Sequence, residues 1–112
     1  MKNGTLGKLV TNTGTWQQLC TISNDVSSVF TTFSLRALNV SNSTVEFEVA
    51  ITDSSSQPAE VDLYEIGTLA NRGSHTTNTC VIASPGETIW VKSSGGKTVF
   101  RCFGLTKDAV VN

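Results

Sequence analysis

Few residues in this chain could do chemistry. They are the thiols of Cys20, Cys80 and Cys102, the imidazole of His75, and the carboxylates of Glu46 and Glu48. The thiols are odd in number, and their spacing fits none of the Cys-x-x-Cys patterns of metal and redox sites. Reduced thiols are therefore expected, with Cys102 the slowest to label, because a cysteine in a core behaves as a small hydrophobe. His75 is the only histidine and lies in a Gly-Ser-His-Thr setting. A hydrolytic triad needs a serine and a carboxylate fixed beside the imidazole, and the chain has no Gly-x-Ser-x-Gly elbow. Glu46 and Glu48 alternate on what reads as a solvent face, away from any His/Cys/Asp cluster that would make a metal site. These residues predict no enzyme, no cofactor and no metal, and leave function to surface and assembly.

Bulk properties narrow the classes further. At 112 residues the chain is one domain. Its net charge of −1 carries no basic field for nucleic acid and no acidic tail for a basic partner. Charged residues make up only 15%, against about 25% in ordinary soluble domains, and Ser, Thr and Asn take their place. No apolar run approaches the roughly 18 residues of a membrane helix. Met1–Val10 has no apolar signal core, so synthesis in a cytoplasm is expected. The sequons at Asn3, Asn39 and Asn42 then reflect composition rather than glycosylation.

No segment carries a helical period, so the chain reads as all-β. Residues 1–14, punctuated by Gly4, Gly7 and Gly14, read as an N-terminal arm with room for a short strand at Lys8–Val10, and 15–112 as one antiparallel β-sandwich of about seven strands. Strands are expected at Trp16–Ile22, Val29–Asn39, Val45–Thr52 and Val61–Gly67. Val45–Thr52 is the clearest, with Val45, Phe47, Val49 and Ile51 on one face and Glu46, Glu48 and Ala50 on the other. A five-residue link Val40–Thr44 puts Leu35 and Ala37 on the same face as Phe47 and keeps Arg36 out of the core. Thr68–Asn78 has no period and reads as a candidate functional loop.

The last part of the chain reads as a hairpin turning at Gly95-Gly96. Counting outward pairs Val91 with Phe100 and Ile89 with Cys102 on a wholly apolar face, which should be core together with Phe47 and Val49. The opposite face carries Trp90, Val99 and Phe103 beside Lys92 and Arg101. Large apolar groups clustered on an outer face mark an interface, with Trp90, Arg101 and Phe103 at its centre and Lys92 at its rim.

Leu35–Leu105 resembles a family of small structural proteins of tailed bacteriophages. The resemblance runs through Ser34–Asn39, the Ser/Thr-rich link Val40–Thr44, Val45–Ile51, the acidic-aromatic Asp62-Leu63-Tyr64-Glu65, the turn Pro85-Gly86-Glu87, Ile89–Ser94, Gly95-Gly96 and Thr98–Gly104. The chain departs from the pattern in Thr68–Asn78, with its Arg72 and His75, and at Trp90 and Phe103. The resemblance implies a non-enzymatic virion part, first a capsid decoration or cement protein that binds and stabilises the head. Its partners would be the major capsid protein or other virion proteins and further copies of itself, a trimer being favoured, with no nucleic acid and no membrane. Its place would be the virion surface, after synthesis in the host cytoplasm. A tail, neck or fibre component is the second reading. A carbohydrate-binding sandwich, stacking sugars on Trp16, Trp90 or Tyr64, is the third.

Overall fold

The computed structural model describes residues 2–11, 13–22, 28–53, 56–76, 81–83 and 86–108. Among them are nine strands: β1 (Lys2–Thr11), β2 (Gln17–Thr21), β3 (Ser28–Asn39), β4 (Val45–Thr52), β5 (Leu63–Leu69), β6 (Ser74–Thr76), β7 (Val81–Ala83), β8 (Thr88–Ser93) and β9 (Thr98–Asp108). One turn of 3-10 helix, Glu60–Asp62, precedes β5. The strands form two antiparallel sheets. The first runs β1-β9-β3-β6, with β7 also paired to β3, and the second runs β2-β8-β4-β5. Successive strands mostly alternate between sheets, which is the winding of a jelly roll. The expected all-β sandwich is therefore what the chain forms.

Alternation of side chains explains why these segments pair as they do. In β4, Val45, Phe47 and Val49 are buried on the inner face while Glu46 is exposed on the outer one. Leu35 and Ala37 of β3, Ile89 and Val91 of β8, and Phe100 and Cys102 of β9 supply the rest of the inner layer, with Leu19, Ile22 and Leu69. Phe47, Val49, Val91 and Phe100 belong to one cluster, and Arg36 stays outside it.

The expected hairpin is replaced by a different connection. β8 pairs with β2 and β4, and β9 pairs with β1 and β3, so the two strands lie in opposite sheets. Val91 and Phe100 meet across the core instead of along a ladder. The turn shows why. A tight two-residue hairpin of this kind needs φ > 0 at both central residues, but only Gly95 has it, at 133°. Ser93 and Thr98 close the arch with side-chain bonds: both hydroxyls donate to the Gly96 carbonyl, at 3.0 and 2.9 Å, and lie 3.0 Å apart. The link Val40–Thr44 is a second crossing between sheets, from β3 to β4.

Two further differences concern segments expected to be largely irregular. Lys2–Thr11, read as an arm, is a ten-residue strand paired along β9. Part of Thr68–Asn78 is also regular: β5 extends to Leu69, and β6 pairs with β3 through Arg36↔Thr76, Ala37↔His75 and Leu38↔Ser74. Residues 77–80 of that loop, and Cys80 with them, lie outside the described residues.

Candidate functional site

The sheet pairing decides where the five expected interface residues go. Trp90 and Lys92 are on the outer side of the second sheet, while Val99, Arg101 and Phe103 are on the outer side of the first. They do not share a surface. Trp90 is also only 5% exposed. It stands between Gln18 and Ala50 on the neighbouring strands, and its indole N–H donates to the Thr52 hydroxyl at 3.0 Å. Trp90 thus lies within its own sheet's outer layer and offers a partner little surface. Lys92 is held as well. Its ammonium sits 3.0 Å from Glu48 and 4.7 Å from the centre of the Trp16 ring.

The remaining three belong to a larger feature. On the outer side of the first sheet, Val10, Val99 and Leu38 form one cross-strand row over β1, β9 and β3. The next row is Lys8, Arg101 and Arg36, followed on β6 by Thr76. Phe103, opposite Ser34, begins the row after that. Lys8, Arg36 and Arg101 are all exposed, Val10 is 55% exposed and Phe103 37%. Side chains directly opposite on neighbouring strands have Cβ atoms about 5 Å apart, and like charges there repel. Neither described ion pair includes any of these three cations. A cationic row thus runs between an apolar row and Phe103, on a face that the described residues leave open.

Sequence reasoning found Val99, Arg101 and Phe103 because they lie in one strand. It missed Lys8, Val10, Arg36 and Leu38, which reach the face from strands far away in sequence. Alternation placed Arg36 outward. Its meeting with Arg101 needed the knowledge that β3 and β9 are neighbours.

The titratable residues gather elsewhere. His75 and Glu65 face each other at 3.0 Å across the edge of the sandwich, from β6 of one sheet to β5 of the other. The His75 ring lies 5.4 Å from that of Phe47. The second Glu65 carboxylate oxygen, Oε1, is buried with no hydrogen-bond partner. No serine or cysteine nucleophile joins His75 in any described contact, and no group of three metal-ligating residues occurs among the described residues. An open depression of about 250 Å³ on the second sheet is lined by Gly14, Glu46, Glu48, Ile66, Lys92, Ser93 and Ser94. A smaller one brings Trp16 and Lys92 beside Pro58 and Ala59. Of the three aromatic platforms considered for sugars, Trp90 is buried and Trp16 carries Lys92 over its ring, which leaves Tyr64, 48% exposed.

No family model matches the chain, and no curated protein does. Among solved structures it is similar to the Eiger TNF from S. frugiperda. That match has a TM-score of 0.51 at 7% identity and covers 98% of this chain and 95% of that one. At this identity the likeness shows the fold: the two jelly-roll sheets of the chain have a counterpart over nearly its whole length. No described helix is long and apolar enough to cross a membrane.

Proposed function

We propose that this chain is a non-enzymatic structural protein of a bacteriophage virion, a decoration or cement protein that acts through the outer face of its first sheet. The observation that carries the reading is the cationic row Lys8–Arg101–Arg36 set between Val10, Val99, Leu38 and Phe103. A monomer gains nothing from three like charges in register, whereas an acidic partner would neutralise them. Apolar groups on either side would supply the burial that holds such a contact. The sequence pattern from Leu35 to Leu105 directs the choice of partner to a shell protein.

The protein would also associate with itself. Val61, Tyr64 and Ile66 are exposed at 88%, 48% and 64%, with exposed Glu60 beside Val61 in the chain and exposed Glu46 opposite Thr68 on β4. That apolar, acidic flank of β5 is a second patch, which would meet other copies while the cationic face meets the shell protein. A closed trimer is the favoured size, and it requires that the rotation between neighbouring copies close on itself.

Light scattering and co-sedimentation with purified heads test both parts. Arg101→Glu with Phe103→Ala should keep the β-sheet circular dichroism and the oligomer size of the parent and lose head binding by tenfold or more, while Ile66→Glu should lower the oligomer size. Parent binding should weaken as salt rises. A folded double variant that still decorates heads like the parent removes this face from the proposal. Binding to purified tails but not heads would favour a tail, neck or fibre role.

A further inference from the structure

The opposite edge of the sandwich, where β1 and β2 close the two sheets, holds two thiols that nothing above uses. Cys20 comes from β2 of the second sheet and Cys102 from β9 of the first. Both strands at this edge are bulged, β1 between Thr5 and Gly7 and β2 between Gln18 and Cys20. Gly7 is the ladder partner of Cys102, and a Cβ placed on it would lie 2.9 Å from the Cβ of Cys20 and closer still to the Leu19 carbonyl oxygen. The missing side chain at position 7 lets the two edges approach where the cysteines meet. Neither cysteine is in a disulfide; Cys102 is fully buried and Cys20 half-buried. A partly exposed thiol beside a fully buried one is the arrangement of an attacking and a resolving cysteine.

We propose that Cys20 is a site of modification by low-molecular-mass disulfides of the glutathione type, and that Cys102 resolves the adduct into a bond between the two sheets. In the first step Cys20 gives its proton to solvent. Its sulfur attacks one sulfur of the small disulfide, whose S–S bond breaks and releases one thiolate. In the second step the Cys102 sulfur attacks Cys20 Sγ, the mixed disulfide breaks, and the second small thiolate leaves with the Cys102 proton. Two protein thiols are oxidised and one small disulfide is reduced to two thiols. In the reduced state the hydrogen bond that the Cys102 thiol donates to Cys20, together with burial, pushes the Cys102 thiol up, so Cys20 reacts first. Capture of Cys20 removes its thiolate charge and weakens that hydrogen bond, which eases ionisation of Cys102 for the attack. The product staples β2 to β9, strands of opposite sheets, and restricts the unfolded chain.

The test uses the full chain with Cys80→Ser, treated with oxidised glutathione. Loss of both thiols per chain, no retained glutathione, a Cys20–Cys102 peptide pair in a non-reducing digest and a higher urea midpoint, all reversed by dithiothreitol, are expected. Adding Cys102→Ser should trap glutathione on Cys20. Digests of the unsubstituted chain should give the same peptide pair, which keeps the test decisive if Cys80→Ser folds poorly. Three results would overturn the proposal: both thiols still alkylating in full after oxidation, stable glutathione on Cys20 while Cys102 is intact, or a disulfide between two chains.

Discussion

Asn39 is fully buried and satisfies several backbone groups at once. Its side-chain N–H groups reach the carbonyls of Ser43 at 2.7 Å, Ala70 at 3.0 Å and Leu69 at 3.3 Å, while its oxygen accepts from the backbone N–H and hydroxyl of Ser41. One side chain therefore ties the β3–β4 crossing to the loop after β5. Asn39→Ala should cost at least about 2 kcal/mol in chemical denaturation, because the stranded polar groups are buried. That burial also closes the Asn39 sequon to a glycan in the folded chain. Cys102 gives a second prediction. Its thiol is pushed up from an ordinary value of 9.0, first by Cys20 and then by burial. Above pH 9 the unfolded chain has lost the proton that the native chain keeps. The unfolded state then binds fewer protons, and stability falls as pH rises, by about 1.4 kcal/mol per unit. Urea titrations at pH 8 and 10 should show that fall in the parent and a shallower one in Cys102→Ala.

Strands with a clear period were legible in the sequence, whereas β1 and β6, read within an arm and a loop, were not. Val45–Thr52 was read with the bounds it has in the structure, and Val29–Asn39 within one residue. Pairing was not legible, because alternation says which side chains point inward but not which sheet a strand joins. Ile89, Val91, Phe100 and Cys102 look the same whether their strands form a hairpin or face each other across a core. The candidate face was lost for the same reason: a row made of β1, β9 and β3 has no trace in any one segment. The arch at Gly95-Gly96 has its own requirement. A Cβ on Gly96 would run into Val45 Cγ2 and lie 2.8 Å from the Ser41 hydroxyl. Gly96→Ala should destabilise the domain by about 1–3 kcal/mol through overpacking. Ser94→Ala at the exposed neighbouring position should cost less, since it removes one accepted bond from the Glu46 backbone. Equal costs for the two would mean that the arch does not need the close approach.

At the scale of the molecule, contact between distant segments dominates. Among consecutive strands, β4 and β5 pair directly, while most connections cross between the sheets. Such topologies fold slowly, in milliseconds to seconds, because loop closure precedes the reward. Stopped-flow refolding of the reduced chain should fall in that range, and a microsecond phase carrying the whole amplitude would contradict the pairing described. Phe47→Ala, at the centre of the cluster, should cost about 3–5 kcal/mol and speed unfolding or slow folding according to when the core forms.

The place of β9 bears on how the chain comes off the ribosome. It is the last described strand in sequence, yet in the first sheet it lies between β1 and β3. Until it emerges, those two have no shared partner, and the inner faces of the second sheet lack Phe100 and Cys102 to close on. Nascent chains stalled before Thr98 should therefore remain open to proteases however long they wait, and protection should arrive in one step once β9 clears the exit tunnel. For this domain, birth of β9 and birth of the fold are the same event.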